Sequence, residues 1–258
     1  MNFVDTHTHL DGSEFDTDRD QVMARAREAG VSKVFIPAID LKSVETVLAT
    51  CRQYEGFAYP MIGLHPEEVK ADWSEVLQRM REYLIPGNPF IAIGEVGLDY
   101  YWSREFEKEQ LQAFERQVEW SIETRLPLMI HCRKGQNEMV QMLRHYEGEL
   151  PGGVFHCFTG NEHEAEELLQ FDGFALGIGG VLTFKKSHLP EVLPSVVPLN
   201  RIVLETDSPY MAPVPMRGSR NESAYVRYVL EKLAEAYGMD AETVAKATNK
   251  TVECIFKL

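Results

Sequence analysis

Apolar residues along the chain fall into a repeating unit. Each unit has a short apolar run, a polar turn, and then a stretch whose apolar positions recur at helical spacing. The apolar runs lie at 3–6, 33–38, 58–64, 90–95, 128–131, 153–158, 173–178 and 201–206. They are near-continuous and rich in Val, Ile, Phe and Leu, as strands buried on both faces of a parallel sheet should be. Helical spacing predicts helices over 18–29, 41–54, 74–83, 105–124, 137–146, 162–171 and 189–196, with two more at 224–237 and 241–256 after the last strand. Eight strands alternating with helices predict an α/β protein of the (β/α)8 TIM-barrel class, and they fit closure better than an open doubly wound sheet.

Polar residues gather where the apolar runs stop. Asp5-Thr6-His7-Thr8-His9 ends the first, Gly63-Leu64-His65-Pro66 the third, and Gly94-Glu95-Val96-Gly97-Leu98-Asp99-Tyr100 the fourth. His131-Cys132-Arg133 ends the fifth, His156-Cys157-Phe158 lies in the sixth, and Glu205-Thr206-Asp207-Ser208-Pro209 closes the eighth. In a barrel the C-terminal strand ends converge on one rim, where active sites are built. Residues spread over most of the chain are thereby expected to meet in space.

Two histidines at His7 and His9 project to the same side of a strand, since successive side chains alternate. Alone this pair is a weak metal signal; with Glu95, His131, His156 and Asp207 at equivalent strand ends it becomes a strong one. The donors are nitrogen and oxygen without thiolate, which suits Zn²⁺, Mn²⁺ or Mg²⁺. Six ligands exceed what one open catalytic ion takes and fit a pair about 3.5–4 Å apart with a carboxylate bridging. Glu95 is the expected bridge, His7, His9 and Asp207 joining it on the first ion, His131 and His156 on the second. His145, His163 and His188 lack such a pattern and read as surface residues, and Cys132 and Cys157 alternate away from the ligands as packing residues.

Composition narrows the picture further. The chain has 258 residues, 44% hydrophobic and 26% charged, close to the size of one barrel, and it has no linker-like tract, so a single domain over 1–258 is expected. No apolar stretch is long enough to span a membrane, and no basic leader precedes the first strand, so a cytoplasmic protein is expected. The cysteines, Cys51, Cys132, Cys157 and Cys254, are widely spaced and read as free thiols. The net charge of −14 opposes extended nonspecific contact with duplex DNA. Arg133, Lys134, Lys185, Lys186, Arg217 and Arg220 fall in rim loops while the acidic excess lies in helices, so a basic mouth on an acidic body is expected.

The motifs quoted above, with Thr159-Gly160 and Arg217-Gly218-Ser219-Arg220-Asn221-Glu222, closely resemble the TatD family of metal-dependent deoxyribonucleases, within the amidohydrolase superfamily. The resemblance runs in order over essentially the whole chain. It implies a (β/α)8 barrel, a divalent metal centre held by the same six residues and taking Mg²⁺ or Zn²⁺, and 3′-to-5′ exonuclease activity on DNA. Glu67, Lys134-Gly135, Met216, Ser219 and Ser223 depart from the usual family pattern in loops expected to touch substrate.

Glu95 and Asp207 are the expected catalytic carboxylates, Asp207 as the base for the attacking water. His65, Asp99, Arg133, Arg217 and Arg220 are expected to contact substrate, the arginines as forks for phosphate oxygens. Asp99 has two further readings, a turn cap or a partner orienting a ligand histidine. Tyr100, Tyr101 and Trp102 read either as a stacking surface for a base or as a packing cluster at a helix start. The basic rim points to a short single-stranded end of DNA as partner. The same centre would also serve an amidohydrolase-type enzyme acting on a small non-nucleic ester, amide or phosphoester, or a metal-holding scaffold without turnover.

Overall fold

The computed structural model describes residues 1–258. Its strands are β1 (Phe3–Asp5), β2 (Val31–Pro37), β3 (Ala58–Met61), β4 (Ile93–Asp99), β5 (Leu128–Arg133), β6 (Gly153–Phe155), β7 (Phe174–Ile178) and β8 (Ile202–Leu204). The helices are α1 (Arg19–Ala29), α2 (Leu41–Gln53), α3 (Trp73–Arg81), α4 (Glu107–Thr124), α5 (Gln136–Arg144), α6 (Glu162–Leu168), α7 (Leu189–Val196), α8 (Val226–Tyr237) and α9 (Ala241–Phe256). All strand pairs are parallel, in two ladders ordered β1-β2-β3 and β4-β5-β6-β7-β8. Single bridges close both seams. Ile62 pairs with Ile93, and Gly94 N donates to Ile62 O at 2.8 Å. Thr8 pairs with Ser208, and Thr6 N donates to Leu204 O at 3.0 Å. The result is a barrel without a free sheet edge.

Strand alternation divides the core. Ile36, Ile62, Ile130, Leu176 and Leu204 face outward into the shell shared with the helices. Val4, Phe35, Met61, Met129, Val154 and Val203 form a second cluster with Ala92 and Ala175, one residue from each strand or its approach, so they meet in the barrel lumen. Val252, Ile255 and Phe256 of α9 join that cluster and plug the end opposite the strand termini, with the Phe35 and Phe256 ring centroids 4.8 Å apart. Phe35 is fully buried in this plug. Phe35→Ala is expected to cost about 3–5 kcal/mol of unfolding free energy, read by denaturant titration; a loss below about 1 kcal/mol would contradict a packed lumen.

Local chemistry sets the helix ends. Asp40 caps α2 by accepting from Ser43 N at 2.6 Å, and Asn161 caps α6 by accepting from Glu164 N at 3.0 Å. Asp18 precedes α1 without capping it, because its carboxylate is taken by Arg220. Several expected boundaries move, two of them with consequences for the barrel mouth. The fourth strand starts later and runs through the glycine-rich motif to Asp99, and the sixth stops at Phe155, so His156 and Cys157 lie on a turn. No helix is long and apolar enough to cross a membrane.

Candidate metal centre

Inward residues one step above the apolar lumen are polar. Met129 is followed two residues on by His131, Val154 by His156, and Val203 by Glu205, so the parity that fills the lumen also aims these groups into its mouth. Glu95 arrives differently. Gly94 pairs with Met129 and Val96 with Ile130, which leaves Glu95 as the extra residue of a bulge, turned inward. Two further positions sit in left-handed backbone, Cys157 at φ 51 and Asp207 at φ 56, a conformation uncommon for non-glycine residues. Gly177 leaves room for the Glu205 carboxylate, which a Cβ there would run into.

Glu95 is the hub. Its Oε2 lies 3.1 Å from His7 Nε2 and 3.6 Å from His9 Nε2. Its Oε1 lies 3.0 Å from His131 Nδ1, 3.3 Å from His65 Nε2 and 3.5 Å from His156 Nε2. Asp207 Oδ1 stands 3.5 Å from His9 Nε2 and 3.9 Å from His7 Nε2. One carboxylate therefore separates the imidazoles into two groups, one at each oxygen. The His7 and His156 rings stack at 3.7 Å, joining the groups.

Electrostatics frame what the cluster can hold. Burial would raise Glu95, but His7, His65 and His131 hold its carboxyl well below the usual range. Burial likewise opposes ionisation of Asp207, yet His9, His156 and His7 keep it below its ordinary value. Burial disfavours a charged His131, but hydrogen bonds to Asp99 and Glu95 push it up to about 9. The same balance, with Glu205 as first partner, pushes His156 up to about 10. His7 is lowered, by burial and by neighbouring His156. Glu95, Asp99, Glu205 and Asp207 thus converge with no lysine or arginine ion-paired to any of them. Buried carboxylates in that situation need a cation or protonated imidazoles.

The donor set fits divalent cations. His7 Nε2 and His9 Nε2 stand 3.3 Å apart. That is roughly the edge of a tetrahedron whose corners lie about 2.0–2.1 Å from its centre, the Zn–N distance. His7 Nδ1, His156 Nδ1 and Glu205 Oε2 are buried without a hydrogen-bond partner; His156 Nδ1 is 3.1 Å from Glu205 Oε1 but poorly aligned. Three-residue groups able to hold an ion are His7 with His9 and Glu95, His65 with Glu95 and His131, His7 with His156 and Asp207, and His156 with Cys157 and Glu205.

The expected ligands His7, His9, Glu95, His131, His156 and Asp207 are all brought together. His65, expected at the substrate, stands instead within the Oε1 group, 4.5 Å from the His131 ring. Asp99 orients a histidine and caps a turn at once, with Oδ2 2.9 Å from His131 Nε2 and Oδ1 accepting from Tyr101 N at 2.9 Å. The arginines depart from the expected phosphate forks. Arg220 is held off the mouth in a two-pronged pair with Asp18 at 2.9 and 2.6 Å. Arg217 stacks over Phe184 at 4.0 Å and donates to Ala212 O. The Arg133 guanidinium carbon lies 3.5 Å from the centroid of the Tyr101 ring. Ser223 is fully buried, where its hydroxyl donates to Asp5 Oδ2 at 2.5 Å, so this position does not face substrate. Cys157 does not alternate away. Its amide donates to Glu205 Oε1 at 2.6 Å and its thiol lies within the His156 group, because β6 has already ended. Glu205 joins the cluster without being among the expected ligands, although its spacing from Val203 carries the inward signal. A cavity of about 810 Å³ lies away from this cluster, on the outer wall between α1 and α8, where Arg25 is paired with Glu222.

Comparison with known proteins follows the same lines. The profile of the family described as "TatD related DNase" matches residues 4–257. A Bacillus subtilis protein named "Uncharacterized metal-dependent hydrolase YabD" is 34% identical over 254 residues, covering 98% of each chain. A Cronobacter sakazakii protein named "3'-5' ssDNA/RNA exonuclease TatD" is 34% identical over 257 residues, covering 98% of this chain and 97% of its own. The crystal structure of YjjV, a TatD homologue from Escherichia coli K12, superposes with a TM-score of 0.92 at 28% identity, covering 99% of this chain and 98% of that one.

Proposed function

The chain belongs to the TatD family, metal-dependent hydrolases of the amidohydrolase superfamily with a TIM-barrel fold, and from that membership we propose that it cleaves phosphodiester bonds at single-stranded 3′ ends of DNA. The observation that carries this reading is the split of imidazoles between the two oxygens of Glu95. His7, His9, Glu95 and Asp207 would hold one divalent cation, and Glu95, His131 and His156, with His65 beside them, the other. When bound, such a pair supplies Lewis-acid charge against phosphoryl oxygens and brings the pKa of water toward neutrality.

The chain's own groups do the rest. Glu95 keeps 3% of its side chain exposed and Asp207 keeps 18%, so Asp207 is the carboxylate that water reaches. As a carboxylate it accepts the proton of the attacking water. The water oxygen bonds to phosphorus as the bond from phosphorus to the departing sugar oxygen breaks, and that oxygen leaves as a hydroxyl, taking a proton back from Asp207 or from solvent water. Asp99 fixes the ring of His131, and Glu205 stands against the ring of His156, which keeps both imidazoles in register.

The acidic body opposes a long duplex, whereas a short single strand presents only its end to the mouth. A 3′-labelled single-stranded oligonucleotide is expected to be degraded at least about tenfold faster than the matching blunt duplex, and chelation of divalent ions is expected to stop both. Equal rates on the two substrates would count against single-stranded ends, and turnover surviving chelation would count against the centre itself.

A further inference from the structure

The geometry points to Trp102, Tyr101 and Arg133 as a preformed subsite that stacks a nucleobase of the nucleotide beside the scissile phosphate. This inference rests on the nucleic-acid reading above and names the part of the substrate that is recognised.

Three adjacent aromatics follow β4, and they divide by burial. Tyr100 is 6% exposed and packs into the core beside Leu98, as a helix-start cluster would. Tyr101 is 49% exposed and Trp102 69%. A packing role leaves these two rings unexplained, since large aromatics are seldom so open. They are also held in place. The Tyr101 and Trp102 ring centroids lie 4.8 Å apart at 85°, an edge-to-face pair. The Arg133 guanidinium sits 3.5 Å over the Tyr101 ring and 5.4 Å over that of Trp102. Mutual stacking orders three side chains before any ligand arrives, which lowers the entropy cost of binding.

Asp99 ties this corner to the candidate centre. One of its oxygens meets His131 Nε2 at 2.9 Å and the other accepts from Tyr101 N at 2.9 Å. The platform therefore starts within two residues of a group that touches the cluster. Flat rings and a flat guanidinium suit a nucleobase, because every base has a π face and stacks on both. Recognition of this kind demands an unpaired base and tolerates any sequence.

The test pairs a change in the enzyme with a change in the substrate. A single-stranded oligo-dT is compared with the same strand carrying abasic residues at its last two 3′ positions, using wild-type protein, Trp102→Ala and Trp102→Phe. Wild type is expected to favour the base-bearing strand in kcat/KM by roughly 5- to 140-fold, the equivalent of about 1–3 kcal/mol of stacking. Trp102→Ala is expected to lose most of that preference, through KM, with an unchanged melting temperature, and Trp102→Phe to recover it. A Trp102→Ala protein that discriminates as wild type does overturns the inference and leaves the nuclease reading standing; so does a docking role for another protein, which would leave both strands' kinetics untouched. Failure of wild type to cleave either strand while it hydrolyses bis(p-nitrophenyl) phosphate overturns the nucleic-acid reading and this subsite with it.

Discussion

Replacing Glu95 with glutamine is expected to lower kcat/KM for phosphodiester hydrolysis by at least about a thousandfold, the upper end for losing one charge-stabilising group. Glu95 is the one side chain with an oxygen at each imidazole group, 3.1 Å from His7 on one side and 3.0 Å from His131 on the other. An amide keeps the shape but brings no negative charge, and it turns an NH₂ toward one of the two groups. The same change removes the carboxylate whose attraction helps to raise His131 and His156, so both imidazoles bind their protons less tightly. Steady-state kinetics beside circular dichroism reads the result. A folded Glu95→Gln protein within tenfold of wild type would remove the hub from the mechanism.

Asp207→Asn is expected to reduce kcat by about a hundred- to ten-thousandfold, the range for a positioned general base. Asp207 follows the end of β8 in left-handed backbone, and its amide donates to His7 O at 2.9 Å. The main chain thus sets the carboxylate's place, and the asparagine side chain is expected to sit where the aspartate did. Its amide oxygen can still face His9, so cation uptake should persist while proton acceptance is lost. A variant that turns over at the wild-type rate would show that the proton leaves by another group.

Alternation and strand order made most of this architecture legible. Residues such as Met129 and His131 sit on one side of a strand whatever the loops do, and the barrel then forces their neighbours from other strands to the same mouth. What escaped the sequence depended on contacts that no local rule encodes. Gly94 to Asp99 look like a loop because glycines and acids interrupt the apolar run. Here the strand continues because Gly97, at φ 141, lets the backbone approach His131 O, where a Cβ would come within 1.9 Å. The role of Arg220 was decided by Asp18, a residue some two hundred positions away that reads locally as a helix cap. Cys157 defeated the alternation rule because its strand ends three residues earlier than the apolar run suggests. His65 had the right strand end, but only the distance to Glu95 Oε1 set it among the candidate ligands.

Cation stoichiometry tests the account most directly. Chelator-stripped protein is reloaded with Zn²⁺ or Mn²⁺, freed of excess by gel filtration and analysed by atomic emission. About two equivalents per chain are expected in the wild type, with at least about one lost in Glu95→Ala. A wild-type chain that retains none, or a folded Glu95→Ala chain that retains the same complement, would contradict a centre bridged by this carboxylate.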